Sequence, residues 1–253
     1  STLSGTLTQA GNINIDVATD KTLTYSGAAI SLGAYTMTMS GGGRFSNTNN
    51  LDLNNASSKL LLNSITLDSA STSADSLGLD VDNNSTITAL SVGHITPVSI
   101  ASGKSLSGAV TVTAGSLKLN ETGTLASTIA MSGGTLDSDE SSTVSGALSH
   151  TADITIDVTT GKTLTYSGAA ISIGANTITL SGGGTFSNVN KLVLSDPVST
   201  LKLDGISTVA NVSVPVALST GKLDVDQNSV IQSFLHSGSS RVDILTGKNL
   251  SVT

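Results

Sequence analysis

The sequence predicts an all-β chain wound as a right-handed parallel β-solenoid with coils of about 19–24 residues. Three observations predict it: an internal repeat, a shorter period nested inside that repeat, and a composition suited to short strands and tight corners.

The repeat comes first. The segment Lys21–Ser31, KTLTYSGAAIS, recurs unchanged as Lys162–Ser172, 141 residues on. Around it, Asn12–Thr19 answers Asp153–Thr160 and Thr36–Asn47 answers Thr177–Asn188 at the same offset. Further on the offset becomes 144, with Gly78–Ser85 answering Lys222–Ser229 and Ser102–Ser107 answering Thr246–Ser251. The chain therefore reads as a single solenoid over residues 1–253, made of two superrepeats, 1–141 and 142–253, the second incomplete.

The shorter period lies inside. Alternating apolar pairs begin at Ile13, Met37, Leu60, Leu79, Val98, Leu117, Leu136, Ile154, Ile178, Leu201, Leu223 and Val242, with gaps of 18–24 residues. The first seven gaps add up to the 141-residue offset, and the longer gap from Leu201 to Leu223 accounts for the shift to 144. A coil of that length fits two or three short strands joined at bends. Stretches such as INIDV and GLDVD alternate apolar and polar residues, so every second side chain faces inward. In Leu79–Asp82, Leu79 and Val81 are expected inside, with Asp80 and Asp82 in water. Runs such as Ser40–Gly43 and Ser181–Gly184 supply the positive φ that corners need. One coil cannot bury its inner face alone, but a stack does so continuously and satisfies each strand's backbone groups through its neighbours. A β-sandwich also uses short strands, but it would not carry a nested period of this kind. Leucine-rich repeats are disfavoured by the absence of their Leu/Asn consensus and of a helical return segment.

Composition agrees. Of 253 residues, 42 are Ser, 35 Thr and 26 Gly, while aromatics make up 2% and Trp is absent. Val, Ile, Leu and Ala supply the apolar content, as thin repeated layers require, and no segment reads as a helix. A net charge of −7, with 11 basic residues scattered singly, argues against a nucleic-acid partner. No Cys is present, which excludes disulfides and thiolate metal sites. No apolar run approaches the ~18 residues of a membrane span, so no membrane insertion is expected. Nothing at the start reads as a basic and then apolar leader. The chain is expected to be an excised segment, or one whose export signal has been removed.

Phrases such as Gly161–Asn188, GKTLTYSGAAISIGANTITLSGGGTFSN, resemble the repetitive β-helical stalks of bacterial surface adhesins. These are the filamentous-haemagglutinin-like proteins and the autotransporter passengers. The resemblance spans nearly the whole chain and rests on composition and coil length. It implies export from a Gram-negative cell, an extracellular or cell-surface location, and a role as a stalk or adhesive filament.

No catalytic, cofactor-binding or metal-binding residue is expected. Asp80 with Asp82, echoed by Asp224 with Asp226, is the pair most open to a hydrolytic or Ca2+ reading. A strand with two inward apolar residues must nevertheless place polar ones outside, and no basic or aromatic partner accompanies the pair in sequence. Asp137, Asp139 and Glu140 lie among serines and read as an exposed loop. His94, His150 and His236 are far apart, do not correspond between superrepeats, and lack zinc-ligand spacing. No GxSxG elbow occurs, and neither SGGG run is followed by the Lys-Ser/Thr of a phosphate loop. Asn55, Asn83, Asn84, Asn120, Asn211 and Asn249 begin N-x-Ser/Thr triplets, no more than this composition gives by chance. Tyr25 and Tyr166, like Phe45 and Phe186, occupy equivalent places and are expected as core rings. The triplets Thr22–Thr24 and Thr36–Thr38 suggest an ice-binding ladder, but their 14-residue step places them on different faces.

The expected function is that of a structural stalk or filament module of a secreted surface adhesin, without catalysis. A binding module recognising a host or matrix glycan or protein is the alternative, and a polysaccharide-acting enzyme ranks below it. End-to-end self-association into filaments is expected, because neither Ser1–Leu7 nor Gly247–Thr253 reads as a cap.

Overall fold

The computed structural model describes residues 1–188, 190, 192–210, 216–232, 234–236 and 238–253. Among these the chain is all-β, with no helix, and its parallel strands stack as a β-solenoid of about 11 turns. It divides into two compact units, Ser1–Thr128 and Ile129–Thr253.

Each coil presents three faces. In unit 1 the first face carries Ile13–Asp16, Thr36–Ser40, Lys59–Asn63, Gly78–Val81, Ile95–Ile100 and Ser116–Leu119. In unit 2 it carries Thr135–Ser138, Ile154–Val158, Thr177–Ser181, Thr200–Leu203, Lys222–Val225 and Arg241–Ile244. Here the nested period reappears as hydrogen-bond register. Ile13, Met37, Leu60, Leu79 and Val98 stand in one column. Ile154, Ile178, Leu201, Leu223 and Val242 stand in another.

Two steps of the expected column are corrected by two residues. Val98 pairs with Leu119, leaving Thr96 opposite Leu117, and Leu136 pairs with Ile156 instead of Ile154. A slip of two keeps the inward set inward, because side chains alternate with period two. Thr96 takes an inner position, and its buried hydroxyl donates to Thr72 Oγ1 at 2.9 Å.

The second face holds Thr2–Leu3, Thr22–Tyr25 and Arg44–Asn47 in unit 1, and Ser142–Val144, Thr163–Tyr166 and Thr185–Asn188 in unit 2. The third face holds Ile30–Ser31 and Leu51–Leu53, then Ile171–Ser172 and Leu192–Leu194. In the middle coils of unit 1 these two faces merge into the single bent strands Thr66–Thr72, Ser85–Val92 and Ser105–Val112. That merger is the physical reason for the shorter coils there, since the SGAA turn between the faces, Ser26–Ala29, has no counterpart.

Every inward position from Met37 to Ile100 on the first face is sealed. So are their unit 2 counterparts from Ile154 to Val225. Full burial of each such side chain contributes about 1.5–3 kcal/mol. The SGGG runs turn the corner after the first face, with φ of 102° and 79° at Gly41 and Gly42 and of 95° and 76° at Gly182 and Gly183.

Candidate functional site

The acidic pairs lie where the alternation places them. Leu79, Val81, Leu223 and Val225 are buried, while Asp80, Asp224 and Asp226 are half-exposed and Asp82 is exposed. Sequence reading missed their partners, however. Lys59, one coil away, lies 2.5 Å from Asp80. Lys202 lies 2.7 Å from Asp226, and Lys222 lies 2.8 Å from Asp224 and 3.3 Å from Asp243. Arg241 pairs with Asp243 through both Nε and a terminal nitrogen.

In unit 2, stacking thus gathers Lys202, Lys222 and Arg241 with Asp224, Asp226 and Asp243 into a ladder of alternating charge. Its electrostatics are those of mutual neutralisation. Hydrogen bonding to Asp226 raises the Lys202 ammonium above its ordinary pKa, and Asp224 chiefly does the same for Lys222. The Asp243 carboxyl is held below its ordinary value by Arg241 first and Lys222 second. A general acid needs the opposite shift, towards the working pH.

The other singled-out residues disperse. Asp137 lies on the strand Thr135–Ser138, which corrects the loop expectation for that residue, whereas Asp139 and Glu140 follow in a bend, half-exposed. Thr159 donates to Asp139 at 3.2 Å, and Lys162 meets Glu140 at 2.5 Å, so the next coil claims both acids. His94 stands 3.7 Å from Asp75, whereas the ring nitrogens of His150 face the carbonyls of Ala152 and Ser172. The side chain of His236 lies outside the described residues, as does Asn211. No group of three potential metal ligands occurs among the described residues. Thr22–Thr24 lie on the second face and Thr36–Thr38 on the first, so the triplets form no common ladder.

Tyr25, Phe45, Tyr166 and Phe186 are interior. Tyr25 stacks on Phe45, and Tyr166 on Phe186, with ring centroids 6.3 Å apart in both superrepeats. Burial pushes the Tyr166 phenol above its ordinary pKa. The phenol accepts from Leu148 N at 3.0 Å and donates to the Ala169 carbonyl at 2.9 Å, which fastens the following turn.

One concavity on unit 1 has the makings of a binding surface. It is a trough of about 590 Å³ at the bend of the merged strands. Asn49, Asn50, Ser69, Ser71, Ser91 and Thr111 line it over Ala70, Ala89 and Leu90. Beside it the register between Ser85–Val92 and Ser105–Val112 slips between Ile87 and Leu90. Ser69 donates to Asn50 at 3.1 Å and Ser71 to Asp52 at 2.9 Å, so part of this polar surface is already ordered. No ionisable side chain lines the trough, which suits it to hydrogen bonding and not to acid–base chemistry. No protein-family model, no curated protein and no solved structure matches the chain.

Proposed function

We propose that this chain is a structural module, a stalk or filament segment of a secreted bacterial surface adhesin, located at or beyond the cell surface and without chemistry of its own. The observation that carries this reading is what the internal repeat preserves. Equivalent inward positions keep their character: Ile13 and Ile154, Met37 and Ile178, Leu60 and Leu201, Tyr25 and Tyr166. Equivalent outward positions include some that change, Arg44 to Thr185, Lys59 to Thr200 and Leu61 to Lys202, beside others that recur, such as Lys21 as Lys162 and Asp80 as Asp224. A chain that repeats its apolar interior coil after coil repeats a scaffold, as solenoids do when length is the useful property. The sequence resemblance to β-helical adhesin stalks supports the same reading and supplies the location.

The trough favours a second reading, recognition of a neutral, hydroxyl-rich ligand such as a glycan. Its lining offers amide and hydroxyl groups without charge. A glycan-binding panel run beside a polysaccharide-degradation panel separates the readings. The structural reading expects neither saturable binding nor cleavage. Saturable binding abolished by Ser69→Trp would replace it with the second, and detection on intact source cells checks the location.

A further inference from the structure

His150 closes the short strand Leu148–His150 in unit 2, and its ring is held in a way that only one protonation state completes. Nδ1 lies 3.0 Å from the Ala152 carbonyl oxygen, and Nε2 lies 3.1 Å from that of Ser172, in the next coil. A carbonyl oxygen accepts hydrogen bonds and donates none. Neutral imidazole carries one N–H, so it serves one of these oxygens and turns a bare lone pair towards the other. The imidazolium donates to both.

We propose that His150 is a proton-operated latch between successive coils, closed onto the Ala152 and Ser172 carbonyls when the ring is charged and half open when it is neutral. The place suits a latch. Ile171–Ser172 opens the third face, and its ladder partner, Leu192–Leu194, lies on one side only. Ile173 N donates to Val193 O at 3.0 Å on that far side. Alternate residues of a parallel strand address opposite neighbours, so Ser172 turns its carbonyl to the near side. The strand stacked there is Leu148–His150. Nε2 thus stands where a backbone N–H would stand in a continued ladder, and a side chain closes the gap. The strand that carries the ring is itself anchored, since Met131 is the ladder neighbour of His150 and Thr151 N donates to the Met131 carbonyl at 2.9 Å.

Backbone carbonyls, and no fixed charge, hold the ring. Ile129, Ala130 and Met131 beneath its strand, Ile171 and Ser172 above it, and Leu148 and Ser149 beside it carry no ionisable side chain. Asp153, the first acid beyond the strand, accepts from Thr177 N at 2.7 Å, and Asp157 accepts from Ser181. The first superrepeat supplies the contrast. Gln9 stands at the place equivalent to His150, and its Nε2 donates to the Thr36 carbonyl at 3.1 Å. An amide donor is permanent, whereas an imidazole donor comes and goes with the proton. Because closure requires the proton, the latch contributes stability in acid and loses it as the pH rises through the histidine range, roughly 5 to 8.

Thermal melts of the full chain and of His150→Gln, at about pH 5 and about pH 8, test this. At the lower pH the unaltered chain should melt above the variant by about 2–4 °C, the size that one net hydrogen bond gives in a chain of this length. At the higher pH the gap should close. The same pair of melts in a His94→Gln background should show the same gap, which assigns it to His150. Amide exchange should locate the effect, with the Ile171–Ser172 strand better protected in the unaltered chain than in His150→Gln at the lower pH alone. Nitrogen NMR of the ring needs no variant. Both ring protons should exchange slowly with water at the lower pH, and one should be gone at the higher. A melting gap equal at both pH values would overturn the latch. So would ring protons that exchange freely in acid, or protection of Ile171–Ser172 that ignores the ring.

Discussion

Asp224, Val225 and Asp226 are consecutive residues with opposite energetic roles. Val225 is fully buried between Leu203 and Ile244 in its column, whereas its neighbours sit in the charge ladder. Val225→Asp places an unpaired carboxylate in an apolar layer, at a cost of several kcal/mol. It should lower the melting temperature sharply or unfold unit 2. Asp224→Ala with Asp226→Ala removes two half-exposed ion-pair partners on the outer surface, and each such pair contributes about 0–1 kcal/mol. Thermal melts of the two variants should separate clearly, and equal loss would contradict the facing of this strand. Lys222 keeps a carboxylate in the double variant, because Asp243 lies 3.3 Å away. The ladder is a network at its centre and not a set of independent pairs.

At the scale of the element, the repeated KTLTYSGAAIS unit shows how one tyrosine organises a turn. Tyr166 closes the second face, Ser167–Ala170 turn the chain, and Ile171 opens the third face. The phenol reaches the turn from below and also satisfies Leu148 N from the preceding coil. Tyr166→Phe would leave that buried N–H unpaired, which costs about 1–3 kcal/mol. Gly168 passes so close that a Cβ would lie 2.2 Å from the Gly146 carbonyl oxygen and 2.6 Å from the phenol oxygen. Gly168→Ala must therefore shift backbone, with a penalty of about 1–3 kcal/mol of the kind seen in overpacked cores. Chemical denaturation of both variants should show losses of similar size. A neutral Gly168→Ala would mean that the turn adapts freely.

For the molecule as a whole, cohesion comes from stacked apolar columns and parallel backbone ladders, to which bound ions need contribute nothing. Of the carboxylates that could in principle hold Ca2+, Asp80 and Asp226 are matched by Lys59 and Lys202 from neighbouring coils and Asp224 by Lys222 on its own strand. Chelation of divalent cations should therefore leave the circular-dichroism melt unchanged. A drop of more than about 10 °C, equivalent to over ~2 kcal/mol, would reveal a structural ion.

The sequence by itself determined the parallel coil, its length, the inward set of residues and the corners. Alternation with period two and repetition with period 19–24 are local and one-dimensional, and stacking reads them directly. That is why Ile13 to Val98 and Ile154 to Val242 each align as columns. Tertiary structure alone decided three things. It set the two-residue register slips at Val98 and Leu136, because alternation is blind to a shift of two. It merged two faces into one bent strand in the middle coils of unit 1, which opened the trough. It also brought Lys59 to Asp80 and Lys202 to Asp226, residues more than 20 positions apart whose proximity is a property of the coil and not of the spacing between them. A period predicts which side a residue faces, but the partner it finds there depends on how the neighbouring coil is cut.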